Sequence, residues 1–286
     1  DRFRESDAIA CVPTVPCGEC RLCRRGRESL CPDAVGRMVF GAFAEYVLLP
    51  RRLVERHVFP RPSSLSAEEA AALEPLACVV HGASRVSFGD AEHVVLIGDG
   101  PISLLFVQVA RLHGAGRVLV VGRHAGRLAV AEALGAETLF VPRGHDSRDA
   151  VLEWTGGHGG DVVVESVGRP EVWETAASLA AIGGEVLLYG GCAAGTRASF
   201  DTYRVHYDEI DLKGAFHYGS RDVREAYELL ASGGVRMAPL ITHRRPLDRL
   251  EEALELALSR EAVKVSVAAQ GQDRDQGQDR DQGQVG

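Results

Sequence analysis

Between residues 90 and 215 the chain alternates short apolar runs with longer amphipathic segments. The apolar runs include HVVLI, RVLVVG, DVVVES and EVLLYGG, and none of them alternates apolar with polar positions. Continuous apolar runs of this kind are typical of strands that are buried on both faces of a parallel sheet. Because helix-like segments of about 10 to 15 residues separate them, the pattern predicts a doubly wound α/β domain here.

Two weaker patterns precede this domain. The run GAFAEYVLLP at 41–50 predicts a strand, and residues 63–86 predict a helix. Ser66, with Glu69 three residues later, forms a capping-box pattern at the start of that helix. Pro75 predicts a kink or a restart within it.

The pattern continues beyond residue 215 and then stops. EIDLKGAF and AVKVSV predict two further strands, with two amphipathic helices between them. The last residues contain the unit GQDRDQ twice. A composition of this kind cannot bury a core, so we expect a disordered tail over 269–286.

A glycine-rich turn follows the first buried run. The sequence GDGPIS at 98–103 matches the GxGxxG fingerprint of dinucleotide-binding turns, with Ser103 in place of the third glycine. The first glycine of the fingerprint allows a tight turn, and the second lets a pyrophosphate approach the backbone at a helix N-terminus. The residues expected to contact the cofactor are Gly98, Gly100, Pro101 and Ile102.

The end of the second buried run indicates which dinucleotide the site prefers. NAD sites usually carry an acidic residue about 20 residues after the turn, where it binds the ribose 2′-hydroxyl. Here Gly122 occupies that position, Arg123 follows it, and Arg127 lies one helical turn further on. An arginine there can pair with a 2′-phosphate, so the sequence favours NADP(H) over NAD(H). The alternative is an exposed arginine beside a site that tolerates both cofactors.

Four of the seven cysteines lie within the fifteen residues CGECRLCRRGRESLC at 17–31. Cys17, Cys20, Cys23 and Cys31 have the number and the close spacing of ligands in a tetrahedral zinc site. Four thiolates leave no open coordination position for water or substrate. The sequence therefore predicts a structural zinc ion.

Two alternatives remain open for these cysteines. A disulfide framework fits small secreted domains, whereas a chain of 286 residues can bury a core without one. A zinc knuckle for nucleic acid would explain the arginines between the cysteines, but the segment has no aromatic side chains for base stacking. Cys11, Cys78 and Cys192 are isolated, and we expect buried free thiols there.

The composition restricts the partners. The chain is 45% hydrophobic and 25% charged, as is ordinary for globular proteins, and its formal net charge is −8. An acidic balance argues against nucleic-acid partners, which need a basic surface. No run of about 18 apolar residues occurs, so no membrane partner is expected. We expect a cytoplasmic location, where thiols stay reduced.

Several motifs occur in a characteristic order: the cysteine segment, GAFAEY, LEPL, GDGPIS, RLAVAEALGA, GGDVVVESVG and LLYGG. In these motifs the chain resembles the zinc-dependent medium-chain dehydrogenases, and especially their sorbitol and polyol dehydrogenase branch. The resemblance covers residues 1 to about 268. It implies a partial GroES-like catalytic domain at 1–74 with a zinc lobe at 17–31, a Rossmann domain at 75–216 and a return to the catalytic domain at 217–268.

The resemblance also implies a chemistry. Such enzymes oxidise a secondary alcohol, or reduce the ketone, by hydride transfer to or from a nicotinamide, and they are usually homodimers or homotetramers. A second, catalytic zinc ion binds the substrate oxygen as a Lewis acid, and the glutamate of LEPL, here Glu74, reaches that metal or its water. The other residues expected to contact the cofactor are Ser166, Val167, Gly190, Gly191, Phe216 and His217.

The chain departs from the family pattern at the catalytic zinc. The family's cysteine ligand and histidine–glutamate pair are expected upstream of the four cysteines. We therefore expect this chain to lack the N-terminal part of the catalytic domain, and the catalytic zinc to occur only in a complete protein. On the predicted helix, Glu74, Cys78 and His81 share a face and could form another ligand set. A packed thiol and a hydrogen-bonded imidazole are the alternative.

Two other functions stay open at this point. One is a zinc-free reductase of the same superfamily that acts on quinones or enoyl groups. The other is a catalytically inactive protein that binds NADPH as a sensed ligand.

Overall fold

The computed structural model describes residues 2–269. Its N-terminal part is mostly irregular, with two short antiparallel strands, β1 (Ile9–Cys11) and β2 (Val58–Pro60). The helices between these strands are α1 (Arg21–Arg24), α2 (Pro32–Gly36) and α3 (Arg51–His57). A 3₁₀ turn at Glu28–Leu30 separates α1 from α2.

Two helices follow the predicted capping box. Helix α4 (Ala67–Ala70) begins where Ser66 Oγ accepts the Glu69 N–H at 3.3 Å, and the Glu69 carboxylate accepts the Ser66 N–H in return. The chain then turns and begins α5 (Leu73–Ala83). Pro75 lies in the first turn of α5, where its missing N–H removes no helical hydrogen bond. The predicted restart of the helix is confirmed.

A six-stranded parallel sheet forms the middle of the chain. Its strands are β3 (His93–Ile97), β4 (Arg117–Gly122), β5 (Glu137–Phe140), β6 (Gly160–Glu165), β7 (Ala180–Leu188) and β8 (Asp211–Gly214). The intervening helices are α6 (Pro101–Leu112), α7 (Ala125–Ala133), α8 (Arg148–Trp154), α9 (Pro170–Leu179) and α10 (Thr202–Tyr207). The spatial order β5-β4-β3-β6-β7-β8 is the doubly wound order whose ligand crevice lies where the strand order reverses. The predicted α/β domain is confirmed.

Alternate residues of the central strand pack into two different cores. Val94 and Leu96 of β3 belong to the cluster that includes the buried faces of α5 and α6. Val95 and Ile97 belong to a second cluster, together with side chains of α8 and α9. Because helices cover both faces of the sheet, every position of the strand is apolar. This is the physical reason for the unbroken apolar runs in the sequence.

After β8 the chain returns to its N-terminal part. The elements there are α11 (Ser220–Ala231), β9 (Ile241–Pro246), α12 (Leu250–Ser259) and β10 (Lys264–Ala268). Helix α11 packs against α5, and β9 pairs parallel with β10. Tyr227 of α11 stacks on Phe59 with ring centroids 4.5 Å apart, and its hydroxyl donates to the Pro60 carbonyl. The domain boundaries given above stay predictions.

The predicted strand at 41–50 is wrong. The segment is irregular, and its large side chains lie at the surface, with Tyr46 90% and Leu48 91% exposed. A strand forms only where a neighbour closes its ladder of backbone hydrogen bonds. No other part of residues 2–269 pairs with this segment. Apolar composition alone therefore misidentified it.

No helix within residues 2–269 combines the length and the apolar character needed to cross a membrane. The tail predicted at 269–286 lies outside the described residues, apart from Ala269.

Candidate functional site

The clustered cysteines converge in the segment 17–31, which we call the cysteine lobe. Their four Sγ atoms all lie within 4.8 Å of one another, and those of Cys17 and Cys23 are 3.9 Å apart. A tetrahedral zinc ion with Zn–S distances of about 2.3 Å places its sulfur atoms roughly 3.8 Å apart. A disulfide needs about 2.05 Å, and all seven cysteines are free. The lobe therefore fits a zinc ion bound by four thiolates.

Backbone N–H groups of the lobe donate to its sulfur atoms. Gly18 has φ +79°, a left-handed conformation that glycine adopts without strain and that permits the tight turn between the first two cysteines. The N–H groups of Cys17 and Cys20 donate to the Sγ atoms of Cys31 and Cys17, at 3.3 and 3.1 Å. Backbone N–H bonds from Glu19 and Cys20 lower the pKa of the Cys17 thiol to about 7. The thiolate is the form that binds metal.

The glycine-rich turn joins β3 to α6. Gly98 lies at φ +117°, and a Cβ on it would lie 2.8 Å from Ser166 Oγ. Gly100 immediately precedes α6, and a Cβ on it would meet no atom within 4 Å. Ser103 replaces the third glycine, and its hydroxyl lies 2.6 Å from Ser166 Oγ. The turn therefore keeps open space in front of a helix N-terminus, which is the arrangement that binds a pyrophosphate.

A buried carboxylate that the sequence analysis missed lies at the end of β4. Asp99, 6% exposed, reaches across from the turn, and its Oδ2 accepts the N–H groups of Arg123 and His124, both at 2.8 Å. A Cβ on Gly122 would lie only 2.6 Å from the Asp99 Cβ. Position 122 therefore needs glycine because Asp99 fills the adjacent space. The strand itself carries no acid, but the turn supplies one beside it.

The two predicted phosphate-binding arginines differ in their surroundings. Arg127 donates from Nη2 to the Ala262 carbonyl at 2.7 Å, and its Nη1 lies 3.8 Å from Asp99 Oδ1. Its guanidinium is thus already engaged. Arg123 forms no side-chain hydrogen bond or ion pair within residues 2–269, so its guanidinium is the one available to a ligand.

The other predicted cofactor contacts lie at the carboxyl ends of β6, β7 and β8. Ser166 Oγ donates to the Ile97 carbonyl at 3.1 Å, which places the end of β6 against the turn. Gly190 and Gly191 line a cavity of about 320 Å³. Val167 and Phe216 are 41% and 56% exposed, and thus accessible to a ligand. The fold brings these residues to one edge of the sheet, where ligands of such folds bind.

A second set of metal-ligand side chains consists of Glu74, Cys78 and His217, which we call the Glu74 cluster. Their ligand atoms lie within 4.8 Å of one another, and the Cys78 thiol donates to Glu74 Oε1 at 3.5 Å. His217 comes from the loop after β8. His81 lies elsewhere, with its Nδ1 3.0 Å from Asp222 Oδ2. Glu74 and Cys78 therefore lie together as the shared helix face predicted. His81 is instead the hydrogen-bonded imidazole of the alternative, because Asp222 of α11 engages it.

Burial governs the charge of the Glu74 cluster. It raises the pKa of Glu74 and of the Cys78 thiol, and it lowers the pKa of His217. Burial also raises the pKa of Tyr189, which lies beside Cys78, and lowers the pKa of Lys264. Each shift favours the neutral form, since an unpaired charge is costly in such a pocket.

Comparison with known proteins agrees with this geometry. The family model for zinc-binding dehydrogenases matches residues 101–232, and the model for alcohol dehydrogenase GroES-like domains matches residues 1–60. Sorbitol dehydrogenase of Bacillus subtilis (strain 168) is 32% identical over 272 residues, which cover 93% of this chain and 75% of that protein. The chain belongs to the zinc-binding dehydrogenases. The family resemblance found in its motifs is confirmed.

Solved structures of a zinc-binding dehydrogenase and of an alcohol dehydrogenase share the fold of this one. The structure from Sinorhizobium meliloti 1021, bound to NADP, is 32% identical, with a TM-score of 0.80 and coverage of 93% of this chain and 78% of that one. Alcohol dehydrogenase TADH from Thermus sp. ATN1 has a TM-score of 0.85 at 24% identity, with coverage of 94% of this chain and 81% of that one. The second likeness concerns the fold alone.

Sequence reasoning missed three residues of this zinc-binding dehydrogenase's candidate site. Asp99 could have been found from the sequence, because it is an acidic residue inside the glycine-rich turn. Thr14 and Tyr189 could not have been found in this way, because their partners are distant in the sequence. Thr14 Oγ1 lies 2.7 Å from His217 Nε2, and Tyr189 lies beside Cys78. The roles of the individual residues in binding metal and cofactor stay predictions.

Proposed function

We propose that this chain is an oxidoreductase that transfers hydride between a secondary alcohol or polyol and a nicotinamide dinucleotide. The observation that carries the proposal is the position of Tyr189. It connects β7 to Gly190 at the dinucleotide edge of the sheet, and its side chain lies beside the Cys78 thiol of the Glu74 cluster. Tyr189 thus borders both the dinucleotide edge of the sheet and the metal-ligand side chains. The likeness to sorbitol dehydrogenase supports a polyol substrate.

Different residues bind the cofactor and accept the proton. Gly98 and Gly100 admit the pyrophosphate at the N-terminus of α6, and Ser166 and Gly190 flank the nicotinamide. In the oxidation the carbinol C–H bond breaks, its hydrogen and both electrons pass to the nicotinamide, and the hydroxyl loses a proton. Glu74 in its ionised form is placed to accept that proton, and its raised pKa makes the carboxylate a stronger base. A zinc ion bound at Glu74 would supply Lewis acidity to the substrate oxygen.

Turnover of polyols by the full chain tests this proposal. Sorbitol, xylitol, erythritol and 2,3-butanediol are offered with NADP⁺ or NAD⁺, and formation of the reduced nicotinamide is followed by its absorbance. We expect at least one of them to be oxidised, and Glu74→Gln to lower kcat about 100-fold, since loss of a general base typically costs that much. Glu171→Gln, an exposed carboxylate on α9, is the matched control and should retain activity.

Two outcomes would contradict the proposal. Binding of NADPH without turnover of any alcohol or ketone would favour an inactive nicotinamide-binding protein. Reduction of quinones or enoyl compounds by a zinc-free preparation would favour the zinc-free reductase.

For the cofactor, our proposal is a preference for NADP(H) that depends on Arg123. Arg123→Ala should weaken NADPH binding about tenfold, since a hydrogen bond to a charged group contributes roughly 1.5–3 kcal/mol. NADH binding should change less than about twofold, because it offers no 2′-phosphate. Fluorescence titration of both cofactors measures the two affinities.

Arg249→Ala, an exposed arginine outside the dinucleotide domain, removes the same charge and is the control. If the unaltered chain binds NADH more tightly than NADPH, the proposed preference is wrong. Asp99 would then be the acid that binds the ribose hydroxyl.

The same proposal includes a purely structural zinc ion in the cysteine lobe, a cytoplasmic location and a homodimeric or homotetrameric assembly. Light scattering of the purified chain tests the assembly.

A further inference from the structure

We propose that Glu74, Cys78 and His217 form a second metal site, which takes one zinc-like divalent cation through an oxygen, a sulfur and a nitrogen atom. This ligand set differs from the upstream cysteine and histidine–glutamate pair that the family resemblance implies. Glu74 alone has a part in both, because the resemblance also implies that the glutamate of LEPL reaches the family's catalytic metal or its water. The site binds metal whether or not the chain oxidises alcohols, so it does not depend on the proposed function.

The distances in the cluster fit a tetrahedral ion. A zinc ion with sulfur at about 2.3 Å and oxygen at about 2.0 Å separates these two ligand atoms by roughly 3.5 Å. Cys78 Sγ and Glu74 Oε1 are 3.5 Å apart. All three ligand atoms lie within 4.8 Å of one another, so small side-chain movements bring them onto one ion.

Two elements bring the ligands together. Glu74 and Cys78 are four residues apart on α5, so they lie one above the other on the same face of the helix. His217 comes from the loop after β8 and has φ +57°, a left-handed backbone that residues with side chains rarely adopt. The next residue, Tyr218, is 1% exposed and anchors this strained loop. Strain of this kind persists where the surroundings impose it, and it clusters at ligand sites.

The hydrogen bonds of His217 select the tautomer that a metal needs. The Thr14 hydroxyl donates its single proton to the Tyr218 oxygen at 2.7 Å. It therefore accepts from His217 Nε2–H, which lies 2.7 Å away. With the proton on Nε2, the lone pair is on Nδ1, which has no other partner within residues 2–269, and we assign this nitrogen as the metal ligand. Metal-binding histidines commonly donate their second ring N–H in this way.

Three protein ligands leave the fourth tetrahedral position open. Catalytic zinc sites have this composition, with water or substrate in the fourth position. Tyr189 lies beside the Cys78 thiol and leads directly into Gly190 at the dinucleotide edge. A ligand on the metal would thus lie beside the proposed nicotinamide position. The cysteine lobe has four thiolates and no such opening.

Metal content and cobalt spectroscopy of the full chain test the site. The purified chain is loaded with Zn²⁺ alone, freed of excess metal and analysed for metal per chain. We expect about two ions per chain, and about one in Cys78→Ser and in His217→Gln. Co²⁺ added to chain whose lobe already contains zinc should give a tetrahedral spectrum with a thiolate charge-transfer band, and Cys78→Ser should lose that band.

Matched variants separate ligation from general damage. His81→Gln, one turn along α5, and Cys11→Ser should each retain about two ions, because neither belongs to the cluster. Thr14→Val keeps the shape but removes the hydroxyl that orients His217, and it should weaken Co²⁺ binding at least about tenfold. Circular dichroism of each variant checks that it folds. A merely packed thiol would leave Co²⁺ binding insensitive to Thr14→Val.

The proposal is overturned if the unaltered chain binds one ion, or if Cys78→Ser still binds two and keeps the Co²⁺ band. Failure here is distinguishable from failure of the proposed function. Two ions per chain without alcohol turnover would uphold the metal site and contradict the oxidoreductase. Alcohol turnover by a chain that binds one ion, with a rate unaffected by Cys78→Ser, would uphold the oxidoreductase and contradict the metal site.

Discussion

Replacing Cys23 with serine should remove one zinc ion per chain and open the cysteine lobe. The tetrahedral site would lose one of its four converging sulfur ligands. In zinc-finger peptides, structural zinc contributes about 10 kcal/mol or more of apparent binding free energy, and this is also folding free energy. Helix α1 of the lobe contributes no buried side chain. Loss of the ion should therefore disorder residues 17–31.

Trypsin is a local probe of this change. The lobe contains Arg21, Arg24, Arg25 and Arg27, so any loss of order exposes cleavage sites within it. We expect Cys23→Ser to be cleaved there at least about tenfold faster than the unaltered chain, because proteolysis follows local opening. Cys11→Ser removes a thiol outside the lobe and should change neither metal content nor cleavage. Equal zinc content and equal cleavage in Cys23→Ser would show that the lobe does not depend on metal.

The lobe also connects to the Glu74 cluster. The Glu28 carboxylate in the lobe accepts the Ser220 N–H at 2.7 Å, at the first turn of α11. A carboxylate in that position is stabilised by the unpaired N–H groups of the helix N-terminus. His217 lies three residues before Ser220. We therefore expect Co²⁺ binding at the Glu74 cluster to weaken in Cys23→Ser as well.

Features determined by local sequence were predictable. The apolar runs identified β3, β4, β6 and β7 because helices cover both faces of those strands, so every position must be apolar. The spacing of the four cysteines predicted their convergence because turns between neighbouring cysteines place the sulfurs on one side. The capping box at Ser66 is likewise a local hydrogen-bond pattern.

Features that depend on distant partners were not predictable. The apolar run at 41–50 does not form a strand, because a strand needs a neighbour that the run itself cannot specify. His217 joins Glu74 and Cys78 across about half of the chain, while the nearer His81 pairs with Asp222. The sequence at the end of β4 showed that Gly122 replaces the acidic residue usual in NAD sites. The strand end does not reveal Asp99, whose carboxylate reaches the space beside Gly122 from the glycine-rich turn.

Replacing Gly100 with alanine should leave the fold intact and weaken dinucleotide binding about 100-fold, roughly 2.7 kcal/mol. Gly100 has φ −79°, which any residue adopts, and a Cβ on it would meet no protein atom within 4 Å. Alanine is therefore tolerated by the chain itself. The space that its methyl group would fill is where the pyrophosphate must approach the N–H groups at the start of α6. The methyl group would hold the phosphate away from these donors.

Two glycine variants make this prediction specific. Gly126→Ala in α7 also places a methyl group in open space, but outside the turn, so cofactor affinity should be unchanged. Gly98→Ala should lower both the thermal unfolding temperature and the affinity, because its φ of +117° and the nearby Ser166 Oγ oppose a side chain. Unfolding curves and fluorescence titrations separate the two effects. Unchanged affinity in Gly100→Ala would place the pyrophosphate elsewhere, because a methyl group cannot share that space with a phosphate.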